Sequence, residues 1–129
     1  ENRRFSGTED WLMWLKITSR YEILAENTVT SAIIQHDNRS VLSFDKDLYD
    51  YRINYLEESL KEDVVFLKRY SLRIIQKIKA HMLSYSSLHA ALAKDKKAAI
   101  SYLIKSISIN YQEIFTKRFL AIIKLLITN

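Results

Sequence analysis

One glycine and no proline in 129 residues is the strongest constraint this chain places on its fold. Sheet-rich architectures turn the backbone through glycine and proline at frequent intervals, and average usage of both is several-fold higher. A chain with a single glycine, Gly7, is therefore expected to be helices joined by short polar connections. The 48% of hydrophobic residues is ample for one core, and the length suits one domain. There is no cysteine, hence neither a disulfide framework nor a thiolate metal site.

Charge is divided unevenly along the chain. Residues 1–67 carry 8 Lys/Arg against 13 Asp/Glu, whereas residues 68–129 carry 12 against 2. A basic half of this kind can face phosphate groups on an anionic membrane or nucleic acid, or simply form solvated helix faces. No secretory signal is visible, and no apolar run approaches the roughly 18 residues needed to cross a bilayer. The chain opens at Glu1 without an initiator Met, and is expected to be a piece of a longer protein.

Thr8 is placed to cap a helix running to about Arg20, with Glu9 and Asp10 in its first turn, where the helix dipole favours acids. Ser6 with Glu9 offers a competing capping box half a turn earlier. Trp11, Trp14, Leu15 and Thr18 share one face. Residues 28–35 are rich in β-branched side chains and predict a strand, with Glu22-Ile23-Leu24 as a second, shorter one. Two such strands make a marginal sheet alone and are expected to be edge pieces of a larger one. From Asp45 the period becomes helical, with Leu48, Tyr49, Ile53, Leu56 and Leu60 on one face. Residues 64–92 support one or two helices with Phe66, Leu67, Tyr70, Ile74, Ile78 and Met82 inward; two more are predicted over about 96–108 and 111–127.

Two blocks in the first third carry a family likeness. Thr8-Glu9-Asp10-Trp11 followed by Trp14-Leu15-Lys16-Ile17, and later Ile34-Gln35-His36-Asp37-Asn38-Arg39-Ser40, together resemble the second conserved block and the closing block of the catalytic domain in inverting family 2 glycosyltransferases. The helical remainder resembles the variable C-terminal extension of bacterial members acting on surface polysaccharides. The resemblance implies a GT-A type parent that moves a sugar from a nucleotide-diphosphate donor to a glycan or lipid-linked acceptor, with a divalent cation, Mg or Mn. It implies Asp10 as the base that deprotonates the acceptor hydroxyl, Glu9 as its partner in orienting the acceptor, and Trp11 as a flat surface for a sugar ring. It also implies His36, Arg39 and Ser40 as contacts to the metal or the diphosphate, Arg being suited to phosphate oxygens. The simpler alternative is that the acids satisfy a helix end, the tryptophans fill a core, and His36 makes only local hydrogen bonds.

Other motifs carry less. Asp45-Lys46-Asp47 copies the family's Asp-x-Asp cation motif, but it follows the closing block at a helix start, where capping is the simpler role. The cation and nucleotide sites are expected outside this chain, with no metal bound within it. His81 and His89, two helical turns apart, lack a third ligand and are read as structural. Asn38-Arg39-Ser40 fits a glycosylation sequon by accident if the enzyme is cytoplasmic. Residues 91–106 faintly echo a tetratricopeptide helix pair, and one unit makes only a hairpin. Residues 117–127 are apolar with basic flanks and fit either packing on that hairpin or an anionic membrane surface. No helix-turn-helix pattern or aromatic stacking platform accompanies the basic half, so no nucleic-acid partner is expected.

The expected fold is mainly α: residues 1–43 as the C-terminal edge of a GT-A α/β catalytic domain, with one helix and one or two short strands, then 44–129 as an extension of about four helices. The piece alone is expected to be inactive, cytoplasmic or peripheral on the inner face of the membrane, and prone to homodimerise through its unpaired strand edge. The rival class is a non-catalytic helical interaction module that binds a membrane surface or an acidic partner through its basic half.

Overall fold

Aspartates set the beginnings of three helices. In the computed structural model, which describes residues 8–24, 26, 28 and 44–128, Asp45 Oδ1 accepts the backbone N–H groups of Asp47 and Leu48 at 3.0 and 3.2 Å. Asp63 Oδ1 does the same for Val65 and Phe66 at 3.1 and 3.0 Å, and Asp95 for Ala98 at 2.9 Å. Each bond satisfies a donor that the first turn leaves without an intrahelical partner. The resulting helices are α1 (Glu9–Arg20), α2 (Lys46–Lys61), α3 (Val64–Arg69), α4 (Leu72–Leu92), α5 (Lys96–Ile109) and α6 (Lys117–Thr128), with a 3-10 turn at Tyr111–Phe115 before α6. Asp45 of the Asp-x-Asp copy thus acts as a cap, as its position suggested.

The longest helix, α4, is the centre, with α2, α5 and α6 packed on it. Small side chains let α5 approach closely: Ala80, Ser87, Ala90, Ala99 and Ser106 are fully buried. Two buried hydroxyls tie the pair together, Ser87 Oγ donating to the Ala99 carbonyl and Ser106 Oγ to the Ala80 carbonyl, both at 2.7 Å. The predicted α2 face supplies Tyr49, Ile53, Leu56 and Leu60 to the core, joined by Phe66, Ile75, Met82 and Tyr102. The connection from α4 to α5 runs through Lys94 at φ 65°. The Lys94 N–H bonds the Ala91 carbonyl and the Asp95 N–H the Ala90 carbonyl, the pattern that closes a helix through a left-handed residue.

The mainly-α expectation holds among the described residues, though not in every detail. Glu22-Ile23-Leu24 forms no strand; the segment is irregular and Leu24 is 96% exposed, because no neighbouring strand among the described residues pairs with it. The strand expected over 28–35 lies outside the described residues, Thr28 apart. The extension holds five helices against about four expected, because residues 64–92 take the two-helix form of the one or two predicted, dividing at the extended Tyr70, whose N–H still bonds the Phe66 carbonyl. The expected 111–127 helix divides at Thr116, whose hydroxyl donates to the Glu113 carbonyl and accepts the Phe119 N–H, closing the 3-10 turn and starting α6. On α4 the fully buried isoleucine is Ile75, whereas Ile74 and Ile78 are half-buried.

α1 docks against this assembly at both ends. Trp11, Leu12 and Leu15 pack on the core. Tyr70 Oη donates to the Thr18 carbonyl at 3.3 Å, and Arg20 reaches Asp63.

Candidate functional site

Glu9 and Asp10 stand exposed in the first turn of α1. Thr8 occupies the cap position without a side-chain capping bond, and its N–H donates instead to Glu9 Oε2 at 2.9 Å. At 100° per residue, Asp10 lies one turn before Trp14, beside the face made by Trp11, Trp14, Leu15 and Thr18, while Glu9 projects from the opposite side of the helix. Helix geometry thus separates the two carboxylates: Asp10 is the one on the Trp14 side of the helix, and neither acid lines the groove beneath that face.

It lines a groove of about 520 Å³ between α1 and α4, floored by Ile74 and Ile78 and closed at one side by Asn110 and Glu113. Trp11 is half-buried, its ring 5.8 Å from that of His81 and 5.7 Å from that of Tyr85. Trp14 is 55% exposed. Of the two tryptophans, Trp14 therefore offers the more accessible flat surface, and Trp11 is chiefly a packing residue that shows one edge to the groove.

At the α4 end of the groove sits a polar cluster. Glu113, buried in the 3-10 turn, accepts from Ser84 Oγ at 2.8 Å and has its other oxygen 3.8 Å from His81 Nδ1. Arg118 Nη1 donates to Ser84 Oγ at 2.9 Å and to the His81 carbonyl at 3.2 Å. Its two terminal nitrogens lie 3.2 and 3.1 Å from Nδ1 and Nε2 of His81. Burial first, then the Arg118 guanidinium, hold His81 below the ordinary imidazole value, against a smaller opposing pull from Glu113. The ring is thereby biased to its neutral form. Ser, His and Glu meet here, yet not as a nucleophilic triad: the single proton of the buried Ser84 hydroxyl is shared between the Glu113 carboxylate and the His81 carbonyl, and no hydrogen bond joins the hydroxyl to the imidazole that would have to serve as base. The cluster fastens the 3-10 turn and α6 to α4.

A line of rings continues along α4, with Tyr85 4.4 Å from His89 and His89 5.7 Å from Tyr49. His81 and His89 both make ring contacts with aromatic side chains along α4. Glu113 and Arg118 were not singled out from the sequence. Glu113 is one of only two acids after residue 67, and that isolation was the available signal.

His36, Arg39 and Ser40 lie outside the described residues. Among the described residues no three His, Asp or Glu side chains converge as metal ligands, and no helix is long and apolar enough to cross a membrane. No protein-family model, curated protein or solved structure matches the chain.

Proposed function

We propose that this chain is the C-terminal part of an inverting family 2 glycosyltransferase, with Asp10 as its catalytic base. The observation that supports this most is the exposure of Asp10 in the first turn of α1, one turn before Trp14, which lines the groove. A base must reach its acceptor, and an acid spent on an internal hydrogen bond could not. In the proposed step the acceptor hydroxyl oxygen bonds to the anomeric carbon as Asp10 takes its proton. The bond from that carbon to the donor phosphate oxygen breaks, and the nucleotide diphosphate leaves with the electron pair. Glu9, on the far side of the helix and bonded to the Thr8 N–H, orders the first turn rather than sharing the proton. A divalent cation would supply charge for the departing diphosphate. The described residues offer no set that fits it, so no part of this step is assigned to it.

The test uses a longer chain that includes the sequence encoded before Glu1, assayed for release of nucleoside diphosphate from sugar nucleotides. Asp10→Asn should lower turnover by at least about 100-fold, the usual size of a general-base contribution, with donor affinity retained. Glu9→Gln should cost far less. Equal activity of Asp10→Asn and the parent would overturn the assignment. Residues 1–129 alone should not bind a sugar nucleotide at micromolar affinity.

A second reading, peripheral membrane contact, is favoured by α6. Leu120 and Ile127 are 67% and 78% exposed on one side of that helix, flanked by Lys117 and Lys124, and Phe115 is 82% exposed just before it. Such a face can lie among acyl chains while its lysines meet anionic headgroups. Flotation with anionic vesicles that weakens with salt and is lost in Leu120→Glu would support it; equal flotation of both proteins would exclude α6 as the contact.

A further inference from the structure

The apolar groove does not end at its floor. Lys77 and Asn110 line both it and a second recess of about 160 Å³, which Arg73, Gln76 and Gln112 complete. The two recesses therefore adjoin at Lys77 and Asn110, and the second, which Ile109 and Tyr111 also line, carries the two cations Arg73 and Lys77. Neither Arg73 nor Lys77 pairs with an acid among the described residues, whereas Lys61 and Lys79 are both committed to Glu57. The one carboxylate on the groove, Glu113, is turned to Ser84 and lies beside His81, with 7% of its side chain exposed. The volume falls in the range of small-molecule sites, about 300–1,000 Å³, and a few polar groups at the end of an apolar lining are what such sites use to orient a ligand.

We infer that the joined grooves bind one molecule of a single-chain lipid with a phosphate headgroup. The acyl or prenyl chain would lie on Trp14, Ile74 and Ile78, and the phosphate against Arg73 and Lys77 with the Asn110 and Gln112 amides. Apolar walls alone would accept any hydrocarbon; the two unpaired cations next to them select an anionic head, since charge-assisted bonds to phosphate oxygens are the stronger kind. The site shares the Trp14 edge of the groove with the transfer reading but does not use Asp10, so loss of lipid binding and loss of transfer are read by separate experiments.

The chain has two tryptophans and both line the groove, so intrinsic fluorescence reads occupancy directly. Titration of the 129-residue chain with dodecyl phosphate below its micelle concentration should give a saturable blue shift. Dodecanol should bind about tenfold more weakly, the loss of one good charge-assisted contact, and inorganic phosphate alone should give no shift. Arg73→Glu with Lys77→Glu, the first exposed and the second half-buried, should abolish the preference for the phosphate while leaving the dodecanol response in place. Trp14→Ala should weaken both ligands. The inference is overturned if dodecyl phosphate gives no saturable shift, or if dodecyltrimethylammonium binds as tightly. It is likewise overturned if only phosphatidic acid vesicles, and never the monomer, move the fluorescence, which would assign the shift to surface docking. Unchanged circular dichroism of each variant shows that the fold persists.

Discussion

Arg20, the last residue of α1, places Nη2 3.0 and 2.9 Å from the two carboxylate oxygens of Asp63, the residue that caps α3. The Asp63 carboxylate thus starts α3 and ties it to the last residue of α1. Its side chain is 5% exposed, against 36% for Arg20. Burial alone would raise the Asp63 pKa, but the Phe66 N–H and the Arg20 guanidinium outweigh it and hold the group below the ordinary carboxylate value. Asp63→Ala should destabilise the chain by about 1–3 kcal/mol, combining a lost cap with a lost charged hydrogen bond. Arg20→Ala, removing a half-exposed partner, should cost about 1 kcal/mol or less. Urea unfolding of both singles and the double should reveal coupling; strict additivity would mean that the pair does not act as a unit.

Acid should weaken the fold through Glu57. Burial would raise its pKa, yet Lys61 and Lys79, each 2.7 Å from a carboxylate oxygen, and Gln76 bring it down to about 2. A carboxyl depressed by folding adds stability that is full above its unfolded pKa and lost as the pH falls through the folded value. Stability should therefore decline from the ordinary carboxylate range down towards about 2, with Asp63 contributing in the same direction. Glu57→Gln should flatten that slope in urea midpoints measured from pH 6 to pH 2. An unchanged slope would show that Glu57 is not a source of it.

The close contact of α4 with α5 should tolerate loss better than gain of volume. Ser106→Ala removes one hydroxyl bond while the Ala80 carbonyl keeps its place in the helix, and should cost about 0.5–1.5 kcal/mol. Ala99→Leu inserts a branched side chain where none fits and should cost about 1–3 kcal/mol or more. Thermal unfolding of the two variants side by side checks the order, and a more stable Ala99→Leu protein would show that the interface is looser than its burial implies.

Lys94 pays for the scarcity of glycine. A non-glycine residue in the left-handed region costs roughly 1 kcal/mol, and Lys94 occupies it at φ 65°. Lys94→Gly should raise stability by up to about 1 kcal/mol without altering the helices, measured by chemical denaturation with circular dichroism.

Much of the fold was legible locally. Asp45 and Asp95 announce helix starts because a side-chain acceptor meets unpaired N–H groups only a few residues on. The spacing of Tyr49, Ile53, Leu56 and Leu60 announces a buried face because all four sit on the same helix. Paucity of glycine and proline announces the class. The breaks at Tyr70 and Thr116 were less legible: each depends on a carbonyl being satisfied in a particular turn, which an apolar period running through both positions conceals.

Of the candidate site, residue order alone determined that Glu9 and Asp10 open α1 and that Trp11, Trp14, Leu15 and Thr18 share its face. It could not assign what that face lines, because a cavity needs a second wall. α4 supplies that wall with Ile74 and Ile78, some sixty residues away in sequence, and Glu113 and Asn110 close it from further still. The tertiary structure also decided that Trp11 packs on His81 and Tyr85 while Trp14 stays more than half exposed, and that Lys77 and Arg73 pair with no acid among the described residues while Lys79 is held by Glu57. Helix starts and buried faces depend on neighbours within a few residues of chain, so they can be read from order. Pockets and ion pairs depend on which helices meet, and packing alone settles that.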